Sequence, residues 1–135
     1  DFDLDIDVSG EAFLTEPGKL SDVVARRSRH VVGENARVLE ARSRIEVDDM
    51  EGFGGLMYDS HHSLRYDYEV SCEHLDILVD STKDIEACLG ARMTGAGFGG
   101  CTVNLVEEGC VDLFVEKVSK RYHEATGLLC EVYMV

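Results

Sequence analysis

The chain has little positive charge. Its 135 residues carry 13 lysines and arginines against 27 aspartates and glutamates, a formal charge of −14. So acidic a surface repels polyanions, which excludes nucleic acid and anionic membranes as expected partners. Long apolar runs are missing too, and nothing approaches the ~20 residues of a membrane helix. The five cysteines, Cys72, Cys88, Cys101, Cys110 and Cys130, form an odd set without a close pair. This argues against a disulfide framework and against a CxxC redox or zinc site, so they read as reduced, mostly buried thiols. No basic leader followed by an apolar core and a small-residue cleavage site opens the chain, so the expected compartment is the cytoplasm. An initiator methionine is also lacking before Asp1, and a piece of a longer product is expected.

What is present fits a soluble globular domain: 44% apolar residues, one proline at Pro17, and charge dispersed along the sequence. The length suits one domain and is short for a two-lobed enzyme. Residues 1–8 alternate aspartate with Phe2, Leu4, Ile6 and Val8, which is either a charged edge strand or an acidic tail. Ser21 is a helix N-cap candidate, and Val24, Val31 and Val38 with Ala25, Val32 and Leu39 repeat every seven residues, predicting a helix over 21–45. Met50, Phe53, Met57, His61, Leu64 and Tyr68 share a second helical stripe, over 49–66. Leu75, Leu78 and Val79 mark a shorter third helix that ends before Lys83. From Cys88 the period changes to that of strands, 88–94 and 101–106, joined by a glycine-rich turn. Val111, Phe114, Val115, Val118, Tyr122 and Ala125 return to helical spacing with Gly127 as C-cap, and Cys130, Val132 and Met134 predict a final strand. The fold class is therefore α+β: a small, mainly antiparallel sheet covered by helices.

Four glycines fall among residues 95–100, a composition suited to a sharp bend or to close approach of backbone to a ligand. Gly95, Gly97 and Gly100 satisfy G-x-G-x-x-G, yet a strand follows where the dinucleotide motif needs a helix. A Walker loop needs a lysine that this loop lacks, and the kinase glycine loop needs a lysine on the next strand and far more chain. Two readings remain, a hairpin that only turns the chain and a phosphate loop in which Thr94 stands beside free amides. Arg92 either adds charge there or pairs with a carboxylate. Arg26, Arg27, Arg29, Arg37, Arg42 and Arg44, all in the first helix, either serve a ligand or pair with neighbouring carboxylates, the second being the default. His61 and His62 are adjacent and face different ways, so packing is expected rather than metal binding. Cys72 and His74 have no second pair at zinc spacing, and no base is identified that would activate a cysteine. Arg65, Asp67 and Glu69 beside Tyr66 and Tyr68 read as a charged helix end, with a ligand cluster as the alternative.

The stretch Gly90-Ala91-Arg92-Met93-Thr94-Gly95-Ala96-Gly97-Phe98-Gly99-Gly100-Cys101-Thr102-Val103 resembles the C-terminal glycine signature of galactokinases, within the GHMP kinases. Arg29-His30-Val31-Val32-Gly33-Glu34-Asn35-Ala36-Arg37-Val38 is similar to a long helix of the same family. So are Leu56-Met57, Ser60-His61, Ser63-Leu64-Arg65, Asp67 to Cys72 and Leu75-Asp76 to its following helices. The resemblance covers residues 21–135, and residues 1–20 match the family less well. It implies a GHMP kinase C-terminal domain over 21–135. The sugar-gripping, nucleotide-loop and catalytic segments of the family's N-terminal catalytic lobe have no counterpart here. It also implies transfer of the γ-phosphate of ATP to α-D-galactose with Mg2+ in the full-length enzyme. No catalytic or metal-binding residue is expected in this chain, and the fragment is expected to be inactive alone and to bind neither cofactor tightly. Thr94, Gly95, Ala96, Gly97, Gly99 and Gly100 are implied to face the nucleotide phosphates, while His30, Glu34 and Arg37 support the helices beneath. The implied partners are the N-terminal lobe of the same protein, galactose and ATP. A severed lobe would expose an apolar surface and self-associate.

Three alternatives belong beside this reading. They are a galactokinase-like sensor that binds galactose and ATP without turnover, a related kinase acting on N-acetylgalactosamine, and a freestanding interaction module.

Overall fold

The structure is a computed structural model and describes residues 21–135; the reading of residues 1–8 as strand or tail lies outside that range. Helix α1, Asp22–Glu46, starts where the Ser21 hydroxyl accepts the Val24 amide at 3.3 Å, satisfying one of the orphan donors of a first turn. After a left-handed turn at Asp48, helix α2 runs Met50–Tyr66. Asp49 serves both helices: one carboxylate oxygen caps Gly52 N–H at 2.9 Å and the other meets Arg44 of α1 at 2.8 Å. Helix α3, Glu73–Asp80, leads through Thr82, whose hydroxyl bonds the Val79 carbonyl and the Tyr58 hydroxyl, into strand β1, Cys88–Thr94. Strand β2, Cys101–Val106, pairs antiparallel with β1 from Thr94↔Cys101 to Cys88↔Val106, with an irregularity between Cys88 and Gly90. Helix α4, Val111–Thr126, ends on Gly127 in the left-handed conformation, the αL cap that glycine favours.

Two apolar clusters hold these elements. Leu64, Leu75 and Met93, with Val70 and Cys72 against them, join α2, α3 and β1 beside the glycine loop. Cys88, Phe114 and Val118, with Leu78, Ile85, Val106 and Val115, seat α4 below the far end of the hairpin. Arg121 of α4 closes that end with a two-pronged bond to Asp84 and a third bond to the Ser81 carbonyl.

The architecture matches the α+β expectation, and three details differ. Among the described residues, 128–135 form no strand: they join no ladder with β1 or β2, which make a two-stranded sheet. Alternating apolar residues announce a strand only where a neighbouring backbone completes the hydrogen bonds. The seven-residue stripe on α1 is not the face it buries, since Val38 and Leu39 are 62% and 69% exposed while Ser28 and His30 are buried. Polar pairs make that seam instead: His30 Nδ1 lies 2.8 Å from Ser63 Oγ, and Ser60 Oγ donates to Glu34 at 2.7 Å. Among the thiols Cys88 is buried, Cys72, Cys110 and Cys130 are half-buried, and Cys101 is exposed; none forms a disulfide.

Candidate functional site

The loop between β1 and β2 takes its shape from residues that adopt positive φ. Gly95, Gly97, Gly99 and Gly100 have φ of 88°, 90°, 139° and 109°, and Phe98, at 60°, joins them. Thr94, Gly95, Ala96, Phe98 and Gly100 are exposed, with Gly97 and Gly99 half-buried. Among the described residues the amides of Gly95, Ala96, Gly97, Gly99 and Gly100 find no backbone acceptor; the Phe98 amide does, donating to the Val70 carbonyl at 2.6 Å. Consecutive amides in such a turn form a concavity that receives anions. The six residues singled out from sequence thus sit together in one open loop.

The loop rests on the turn after α2. A Cβ on Gly97 would stand 2.9 Å from Val70 Cβ and nearer still to its carbonyl oxygen, so only glycine fits against this turn. Glu69, itself at φ 60°, presents Val70 in that position. Arginines of α1 fix the turn: Arg26 and Arg27 both bond the Glu69 carboxylate, Arg27 also bonds the Asp67 carbonyl at 2.8 Å, and Arg29 meets the Asp67 carboxylate at 2.9 Å. These contacts hold the Glu69 carboxyl below the usual carboxylate range, the bond from Arg27 foremost. The charged helix end around Arg65, Asp67 and Glu69 is therefore a set of structural ties, with Arg65 reaching Asp76 and Asp80 at 3.2 Å each.

Behind the hairpin, Glu34 collects Ser60, Arg37 at 3.0 Å and Arg92 at 3.7 Å. Burial alone would raise its pKa, but the bonds from Ser60 and Arg37 outweigh it and the net direction is downward. Arg92 is thus engaged by a carboxylate and by the Met93 carbonyl at 3.0 Å. A cavity of about 250 Å³ opens beside this cluster, lined chiefly by apolar side chains such as Val38, Phe53, Met57 and Val103. Among the described residues no group of histidine, cysteine, aspartate and glutamate is placed to hold a metal ion, and Cys72 and His74 form no such site.

Burial pushes the pKa of both His30 and His61 below 6.5, and their neighbouring carboxylates recover only part of the shift. The unfolded chain therefore takes up these protons first as pH falls, so stability is unaffected by them above about pH 6.5 and declines below it, levelling off beneath the folded-state pKa values. Glu34 and Asp80, both lowered, add a second loss in the same direction as pH falls below the ordinary carboxylate range. Urea midpoints measured from pH 7.5 to 4 are expected to decrease monotonically, and a midpoint constant down to pH 5 would contradict the neutral buried pair.

The helices brace a hairpin most of whose loop amides lack backbone acceptors among the described residues, and the family GHMP kinases C terminal matches residues 41–124. The chain belongs to this family. Its relatives are galactokinases: that of Clostridium beijerinckii is 48% identical over 130 residues, 96% of this chain and 33% of that protein. The galactokinase of Roseiflexus sp. (strain RS-1) is 43% identical over 95% of this chain and 33% of its own length. A crystal structure of Lactococcus lactis galactokinase complexed with galactose superposes with a TM-score of 0.90 at 36% identity, covering 96% of this chain and 34% of that one. The chain spans about a third of the length of these relatives, and alignments covering 96% of it extend into residues 1–20.

Sequence reasoning did not single out Val70 as part of the site. Val70 acts through its carbonyl, for which no side-chain pattern exists.

Proposed function

We propose that this chain is the C-terminal lobe of a galactokinase, which transfers the γ-phosphate of ATP to α-D-galactose and yields galactose 1-phosphate. The observation that carries the reading is the superposition on the galactokinase of Lactococcus lactis at a TM-score of 0.90 over 96% of the chain. In this reading residues 21–135 are one domain. Thr94, Gly95, Ala96, Gly97, Gly99 and Gly100 face the nucleotide phosphates. The exposed amides suit that role: phosphoryl transfer gains from fixed donors aimed at charge that spreads over the phosphoryl oxygens, and a main-chain amide needs no proton exchange to provide one. Magnesium, when bound with ATP, neutralises phosphate charge; its ligands and the catalytic groups lie in the remaining two thirds of the protein. Exposed Val38, Leu39 and Val103 fit a lobe that packs against another.

The complete gene product that carries these residues is expected to form galactose 1-phosphate and ADP from galactose and MgATP, and residues 1–135 alone none. Binding of both substrates without turnover would identify a sensor instead, and preference for N-acetylgalactosamine would move the substrate. Absence of both binding and turnover would overturn the reading.

A further inference from the structure

The two supports of the glycine loop meet at one carboxylate. His61 of α2 is 3% exposed, and its Nδ1 lies 3.0 Å from the Met93 backbone nitrogen. An amide N–H only donates, so Nδ1 is the acceptor and the imidazole proton sits on Nε2. That proton points to Asp76 Oδ1, 2.9 Å away on α3. The same oxygen accepts the Ser71 hydroxyl at 2.7 Å, and Arg65 Nε approaches the other at 3.2 Å. Met93 immediately precedes Thr94, where β1 enters the loop. Ser71 immediately follows Val70, whose carbonyl carries the Phe98 amide. One imidazole and one carboxylate therefore fix both the strand that feeds the loop and the turn beneath it.

We propose that His61 and Asp76 are a positioning pair that holds the glycine loop at the height required to meet the ATP phosphates, an inference that rests on the function proposed above. Neither side chain touches the nucleotide; both act through the Met93 amide and the Val70 turn. The two ends of the imidazole can be tested separately. In His61→Asn the side-chain carbonyl takes the place of Nδ1 and keeps the Met93 bond, whereas in His61→Gln the amide reaches the place of Nε2 and keeps only the Asp76 bond.

In the complete protein, His61→Gln is expected to raise KM for ATP about tenfold, the effect of losing roughly one hydrogen bond. The KM for galactose should stay within about twofold, and His61→Asn should recover most of the loss. Ser71→Ala, a change at a half-buried position, frees the turn alone and is expected to raise KM for ATP about threefold even if the His61 variants fold poorly. Equal behaviour of the Asn and Gln variants, equal rises in both KM values, or no effect of Ser71→Ala would overturn the proposal. Hydrogen exchange of residues 93–100 supplies a readout independent of turnover, expected faster in His61→Gln than in His61→Asn. If the wild-type protein does not phosphorylate galactose, the function reading fails while this exchange difference still decides for or against the pair.

Discussion

Replacing Gly54 by alanine is expected to destabilise the fold by about 3 kcal/mol, the upper range for overpacking, although alanine is the better helix former by ~1 kcal/mol. The reason is contact between main chains. A Cβ on Gly54 would stand 2.9 Å from Leu89 Cβ and deeper still within the Leu89 carbonyl group, and a Cβ on Gly90 would stand 2.6 Å from Gly54 Cα. No rotamer relieves a clash between backbones, so α2 must lift from β1, and the cost is a large share of the ~5–15 kcal/mol that holds a domain together. Its neighbour provides the contrast. Gly55 is exposed with nothing within 4 Å of a Cβ, so Gly55→Ala is expected to stabilise by up to ~1 kcal/mol. Urea denaturation of the two variants tests the pair; loss at both positions, or gain at both, would show that helix propensity and packing have been weighed wrongly.

Gly97→Ala is expected to raise KM for ATP in the complete protein more than about tenfold and to lower the stability of the domain by at least about 1–2 kcal/mol. Two effects combine at this position. At φ 90° an L side chain costs roughly 1–2 kcal/mol, and the new methyl group meets Val70, which must retreat and take its bond to the Phe98 amide with it. Together these are worth more than the 1.4 kcal/mol of a tenfold change. Val70 also packs against the cluster of Leu64, Leu75 and Met93, so part of the cost falls on the fold. Gly95 separates the two effects, since its φ is 88° but a Cβ there would meet open space. Gly95→Ala should therefore show the smaller change, and equal KM values for the two variants would remove Val70 from the account.

Much of this arrangement was legible in the sequence because it is local. Helix spans, the Ser21 cap, the Gly127 stop and the glycine hairpin depend on near neighbours, and each appears where its pattern placed it. The exposed stripe of α1 and residues 128–135, which join neither β1 nor β2, show the limit, since apolar periodicity says which residues could be covered and not whether anything covers them. The site divides in the same way. Glycines at 95–100 announced a special backbone, whereas its supports join residues 28 and 32 positions apart, Phe98 to the Val70 carbonyl and Met93 to His61. Among the α1 arginines, Arg37, Arg42 and Arg44 pair with Glu34, Glu46 and Glu40 of the same helix, whereas Asp67 and Glu69 became visible as partners of Arg26, Arg27 and Arg29 only when α1 and the end of α2 were brought together.

The contact between Gly54 and Gly90 also sets a measure. From Gly54 to His61 the helix advances ~10 Å at 1.5 Å per residue, and from Gly90 to Met93 the strand advances ~10 Å at about 3.3 Å per residue. Seven helical residues and three extended ones are commensurate, so one touch at the lower end delivers the imidazole to its amide at the upper end. A residue inserted into either span would spoil the match, turning the helix by about 100° or reversing the faces of the strand. These two short intervals can change their side chains far more freely than their lengths.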